Sequence, residues 1–221
     1  MKRSAMSWAV VGLLAVAAVA GAGEKSKSAG VVDAKEVKAL AIGASAPKAD
    51  VKMANVDGKS LSIAEVKGEN GTLVIFTCNT CPWAQAWEGR IAEIGNEYAK
   101  QKVGVIAINS NDPSIKPEDG LEAMKTRAET LKLAFPYVVD ASSDVARAFG
   151  ATRTPEVFLF DGKGKLVYHG AVDDNAREPE KVTERWLQAA LAATVEGKPV
   201  AVKETKSMGC SIKFRGKSTA S

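Results

Sequence analysis

The chain is expected to fold as a mixed α/β domain, a central mixed β-sheet flanked by helices, and three observations carry that expectation. An apolar run at 73–76 passes through Cys78 and Cys81 into an amphipathic stretch and then a second apolar run at 103–109, the pattern of a βαβ unit. Asp57-Gly58 lies between the runs 51–56 and 59–63, which predicts a β-hairpin extension on the N-terminal side. Near the other end, Asp161-Gly162-Lys163-Gly164 separates 157–160 from 165–169 and predicts an antiparallel hairpin.

Taken in order, residues 1–22 have the three parts of a secretory signal. These are Lys2 and Arg3, an apolar run at 8–20, and the small residues Ala20, Gly21 and Ala22. Cleavage near Ala22 and an exported location, periplasmic or extracellular, are expected. The apolar run is shorter than the roughly 20 residues that cross a bilayer, so no stable membrane insertion is expected. Residues 23–41 mix Gly, Ser, Ala and Lys as a flexible tether, with at most a short helix near 34–40. The domain is expected over 42–194. After the hairpin and the first strand, Trp83, Trp87, Ile91, Ile94 and Tyr98 recur at helical steps on one face. The run at 103–109 lacks alternation, which suits a strand buried on both faces. A loop marked by Pro113 and Pro117 precedes a helix at 118–133, with Leu121, Met124, Ala128 and Leu131 inward. A brief strand at 137–140 and a short helix at 142–149, opened by a Ser cap and closed by Gly150, follow. The last helix is expected at 179–194, with Val182, Trp186, Ala189 or Ala190, and Ala193 inward. From 195 to 221 the chain turns basic and polar and reads as a mobile tail carrying Cys210.

Composition narrows the function. With 46% hydrophobic and 25% charged residues, the chain has the material for one globular core. The formal charge is only +4, and two of those charges are Lys2 and Arg3, so no nucleic-acid partner is expected. Three cysteines are too few and odd in number for a stapled scaffold, which leaves chemistry as their purpose. Pro82 suits a first helical turn, so Cys81 falls at a helix N-terminus. There the unpaired N–H groups and the helix dipole favour a thiolate, the nucleophilic form.

Four stretches together resemble the thioredoxin superfamily, and most closely its peroxiredoxin-like redoxin branch, the alkyl hydroperoxide reductase/thiol-specific antioxidant type. They are the 42–47 segment leading to Asp57-Gly58-Lys59, the strand ending in Cys78-Asn79-Thr80-Cys81-Pro82, Thr152-Arg153-Thr154-Pro155 before 157–161, and the final hairpin. The resemblance covers roughly 42–194 and implies a thioredoxin-like fold with a cis Thr154–Pro155 bond facing the cysteine. It implies Cys81, five residues past Phe76, as the attacking cysteine. Cys78 departs from the peroxiredoxin pattern, which has threonine there. The arginine that polarises a peroxide would fall near Pro155, with Arg153 only its neighbour.

The resulting expectation is a thiol oxidoreductase in which Cys81 attacks a peroxide oxygen or a disulfide sulfur. Cys78, three residues away, or Cys210, on the tail, would resolve the product. Thr154 and Pro155 would shape the groove, and Trp83 and Arg153 would flank the thiol pocket. The partners would be a peroxide or a protein disulfide and a thiol electron donor, with no organic cofactor. A second reading takes Cys78, Cys81 and the sole histidine, His169, as soft metal ligands for copper or zinc. That reading is similar to the thioredoxin-fold copper-delivery proteins of cytochrome oxidase assembly.

Overall fold

Strand β3 (Gly71–Phe76), buried at every position, is an interior strand of a seven-stranded sheet in the computed structural model, which describes residues 38–216. It pairs in parallel with β4 (Val103–Asn109) and antiparallel with β7 (Glu156–Asp161). Outward from β4 lie β5 (Tyr137–Val139), parallel, then β1 (Met53–Asn55) and β2 (Ser60–Leu61), both antiparallel. Beyond β7, β8 (Leu166–Gly170) closes the other edge as an antiparallel hairpin partner. Both hairpins predicted from Asp-Gly are present, and Gly58 takes the positive φ of 85° that the first turn requires. The parallel β3–β4 pair is joined by helix α1 (Pro82–Ala99), as the βαβ pattern predicts.

Burial on both faces explains why these strands lack alternation in sequence. Leu73 and Ile75 face one core with Trp87, Ile91 and Tyr98 of α1, with Met124 of helix α2 (Leu121–Thr130), and with Leu187 and Leu191 of helix α4 (Trp186–Val195). Val74 and Phe76 face a second core with Val145 and Phe149 of helix α3 (Asp144–Phe149). In that second core Phe149 meets Phe76, Phe158 and Phe160 edge-on at centroid distances of 5.3, 5.2 and 6.0 Å, the arrangement aromatic quadrupoles prefer.

Several expectations need correction. The helix of 118–133 divides into a 3₁₀ turn at Pro117–Asp119 and α2, and Leu121 is exposed. At the start of α3 Ser142 Oγ accepts the Asp144 N–H at 3.2 Å, while Ser143 at the N-cap makes no capping bond with its side chain. The Asp140 carboxylate takes the Ala146 N–H at 2.9 Å, while Ser143 Oγ donates to the Ser110 carbonyl at 2.7 Å. Gly150 does close it, with φ 74°. The last helix begins only at Trp186, leaving Val182 outside it; Leu187, Ala190 and Leu191 are its buried residues, and Trp186 and Ala193 pack against the same core partly buried. The 3₁₀ turn at Pro179–Lys181 runs into an extended Val182, and the Asp174 carboxylate holds the Thr183 N–H and hydroxyl there. Most consequentially, the segment from 195 to 216 is no free tail. Val200 and Ile212 are buried, His169 N–H donates to the Lys203 carbonyl at 2.9 Å, and strand β9 (Cys210–Ser211) pairs antiparallel with β6 (Arg153–Thr154).

Among the described residues no helix is long and apolar enough to cross a membrane. The signal-like 1–22 segment and the tether up to residue 37 lie outside the described residues.

Candidate active site

Three cysteines from two distant parts of the chain meet at the junction of β3 and α1. Cys81 occupies the N-cap position with extended backbone, φ −79° and ψ 120°, and Pro82 follows at the first helical position. Cys78 and Cys81 are both buried, at 5% and 2% exposure, and Cys210 is half-buried beside them. All three are free thiols. Trp83 is partly buried and packs against this group, while the Arg177 guanidinium lies 5.2 Å over its ring.

Thr154 faces the cysteines, and the Thr154–Pro155 bond is cis. Its hydroxyl lies 3.2 Å from Cys78 Sγ, and its carbonyl lies 3.0 Å from Cys81 Sγ. Strand β9 supplies the third side, with the Cys210 N–H donating to Cys81 Sγ at 3.4 Å. The expected group of Cys78, Cys81, Cys210, Thr154 and Pro155 is therefore brought to one place. Arg153 is exposed and donates to the Gly209 carbonyl at 3.0 Å.

Electrostatics separate the three sulfurs. Cys81 is drawn down to about 4, first by the Cys78 thiol donating to it, with the Cys210 thiol and the Ala84 and Cys210 N–H groups adding to this against burial. The Thr154 carbonyl opposes a thiolate, since it can only accept from Cys81 as a thiol. Several donors against one acceptor leave the anion favoured. Cys78 is pushed far up, because its proton is committed to Cys81 and burial disfavours its charge, with the Asp119 carboxylate adding repulsion. Cys210 rises to about 11 through burial and its own donation to Cys81. With the Cys78 proton given to Cys81, the Thr154 hydroxyl donates to Cys78, so the contacts run Thr154 to Cys78 to Cys81.

Two residues not singled out from the sequence hold this arrangement. Asp119, buried at 2%, accepts from the Asn79 N–H at 2.8 Å, the Thr80 N–H at 3.1 Å, the Thr80 hydroxyl at 2.8 Å and the Asn111 amide at 2.8 Å. It thereby fixes the two residues between Cys78 and Cys81. Glu156, beside Pro155, accepts the Thr152 and Arg153 N–H groups at 2.8 and 3.0 Å and so holds the Thr154 loop. Asp119 stands in sequence among turn acids that suit any helix start, so nothing local marks it out. Asp173, which follows β8, is buried and binds the Trp87 indole N–H at 2.7 Å and the Arg90 guanidinium.

The metal reading does not survive this geometry. His169 Nε2 pairs with Glu156 Oε1 at 2.7 Å, and the ring stacks on Phe158 at 4.3 Å, so His169 is engaged away from Cys78 and Cys81. Among the described residues no group of three His, Cys, Asp or Glu side chains is placed to hold a metal.

The fold is thioredoxin-like, with three free thiols gathered at the strand-to-helix junction against a threonine–proline edge, and together with the chain's relatives this defines a thiol-dependent oxidoreductase. Residues 41–187 match the Redoxin family, and the chain belongs to it. Thiol-disulfide oxidoreductase ResA of Geobacillus thermodenitrificans is 28% identical over 131 residues, which span 59% of this chain and 70% of that protein. Two solved structures align with a TM-score of 0.75. An uncharacterized conserved protein of Geobacillus kaustophilus is 38% identical over 81% of this chain and 95% of its own. A hypothetical protein of Sinorhizobium meliloti is 36% identical over 81% of this chain and 97% of its own.

Proposed function

We propose that this redoxin is a thiol-disulfide oxidoreductase acting on protein disulfides, with Cys81 as nucleophile and Cys78 or Cys210 as the resolving thiol. The observation that carries the reading is the packing of Cys78, Cys81 and Cys210 at one point with the Cys210 N–H donating to Cys81 Sγ, an arrangement that favours the Cys81 thiolate over the other two. In the first step the Cys81 thiolate attacks a substrate sulfur. A Cys81–substrate disulfide forms as the substrate disulfide breaks, and the departing sulfur takes a proton from solvent. In the second, Cys78 or Cys210 loses its proton, attacks Cys81 and releases the second substrate thiol, leaving a disulfide within the chain. A thiol electron donor then returns two electrons and two protons.

Peroxide reduction has less in its support, because the one arginine beside the cis bond, Arg153, is exposed and spends its Nη1 on the Gly209 carbonyl. An exported, extracytoplasmic location is in keeping with the signal-like features of residues 1–22. The decisive variant is Cys81→Ser, nearly isosteric, which is expected to keep the fold and lose all disulfide reduction. Turnover retained in that variant would overturn the assignment. With both Cys78→Ser and Cys210→Ser in place, a Cys81–substrate disulfide should accumulate and be seen by mass spectrometry.

A further inference from the structure

Strand β9 is two residues long, yet the segment around it is gripped along its length. Ile212 N–H donates to the Thr152 carbonyl at 2.9 Å, and Lys213 N–H to Asn111 Oδ1 at 2.8 Å. Arg215 N–H donates to Ser143 Oγ at 3.0 Å, Ile212 is buried, and the Arg147 guanidinium lies 5.0 Å over the Phe214 ring. Among the described residues strand β6 has no other partner, because β6 and β9 form a sheet of their own. Beneath the segment is therefore a short edge, immediately beside Cys81, whose Thr152 carbonyl would lose its partner, while the Arg153 N–H stays with Glu156 and the Thr154 carbonyl with Cys81 Sγ.

The register makes the segment resemble a substrate. Cys210 lies opposite Thr154 and reaches Cys81, and the residue before it has no room for a side chain. A Cβ on Gly209 would overlap the Thr154 carbonyl and crowd the Pro155 nitrogen, backbone atoms that cannot swing aside. We propose that residues 209–214 are a built-in occupant of the Arg153–Thr154 edge, which closes the site until it is displaced by an extended polypeptide in which glycine immediately precedes the cysteine engaged by Cys81. This rests on the thiol-disulfide reading above and adds to it what the substrate must look like.

An added strand satisfies the edge through its own backbone, and side-chain seats give selectivity. Here those seats are the bare approach before the cysteine and the apolar place taken by Ile212 two residues after it. Because Cys81 is 2% exposed, the occupant has to lift before a polypeptide reaches the sulfur. The Cys81 thiolate then bonds to the partner's cysteine sulfur, the partner's disulfide breaks, and its other sulfur leaves as a thiolate that takes a proton from water.

The test uses the full chain carrying Gly209→Ala, with Phe214→Ala as a second way to loosen the segment. Hydrogen exchange should show the Ile212, Lys213 and Arg215 amides opening at least tenfold faster than in the parent, while those of 71–76 are unchanged. The loosened protein is then given the peptide Ser-Met-Gly-Cys-Ser-Ile-Lys-Phe, its cysteine carried as a pyridyl disulfide. Capture on Cys81, read by pyridinethione release and mass spectrometry, is expected at least tenfold faster than for the same peptide with alanine in place of glycine. Amides that stay protected in both variants would overturn the proposal, as would rapid and equal capture of the two peptides. If neither peptide reacts faster than with an ordinary thiol, the thiol-disulfide reading itself fails and this inference falls with it.

Discussion

Cys81 is pulled in two directions at the level of single atoms. The Thr154 carbonyl wants its proton, while the Cys78 and Cys210 thiols and two N–H groups want its charge. The charge prevails, and a titration follows from it. Alkylation of Cys81 is expected to stay near its plateau through neutral pH and to fall by half only near pH 4, where an ordinary thiol, with a pKa of about 8.5, is almost wholly protonated. A Cys210→Ala change removes one thiol donor and should move that midpoint upward, as followed by thiolate absorbance. Stability carries the same sign. Cys81 titrates lower folded than unfolded, so its contribution is full above the ordinary thiol value and is lost as pH falls through about 4. Cys210, raised to about 11, behaves oppositely, and its smaller contribution is lost as pH rises through that value. Cys81 was legible from sequence because a strand, a cysteine, a proline and a helix follow one another within a dozen residues. The donors from Cys210 were not, since they arrive from 129 residues away and no local pattern records them.

Between elements, the cysteine loop is held by a single carboxylate. Asp119, at the end of the 3₁₀ turn before α2, satisfies two backbone N–H groups and a hydroxyl of the Asn79–Thr80 link and the Asn111 amide. Asp119→Ala would leave those donors without a partner in a buried setting, at a cost on the order of 3 kcal/mol. The expected outcome is a lower denaturant midpoint at unchanged slope, together with slower Cys81 alkylation as the loop loses its fixed shape. A loss of stability with unchanged thiol reactivity would mean that Asp119 supports the fold alone. The elements themselves were legible wherever a run of one period had clear punctuation. Strand β4 spans the predicted 103–109, and Gly150 ends α3 as expected. They were not legible where a side chain from elsewhere intervened. The Asp174 grip on Thr183 postpones α4, and the Asp140 carboxylate takes a first-turn N–H of α3 beyond the reach of its serine, both through contacts that hydrophobic periodicity does not contain.

For the whole molecule, the sheet separates two cores, and the one facing α3 depends on a ring of phenylalanines. Phe149 touches three of them edge-on and is fully buried, so Phe149→Ala should cost about 3–5 kcal/mol, read as a shifted urea midpoint with little change in slope. Cys78 and Cys81 lie between β3, which lines both cores, and α1, which packs in the opposite one, so residual folded protein should keep its Cys81 titration. The order of the sheet was readable in outline from the βαβ unit and the two hairpins. The packing of the C-terminal segment was not, because its polar, lysine-rich composition is that of a loose end and its anchors are a few backbone bonds and one buried isoleucine. That packing has a consequence for energetics. A Cys78–Cys81 bond would close a ring of a few residues, whereas a Cys81–Cys210 bond would close one of 129 and restrict the unfolded chain by about 4–5 kcal/mol. Such coupling is reciprocal. Whatever the longer cross-link lends to the fold, the fold lends back to the cross-link, so the folded chain would hold the Cys81–Cys210 bond against reduction more firmly than the Cys78–Cys81 bond, and incoming electrons would enter the short ring, the better oxidant, first and the long one last.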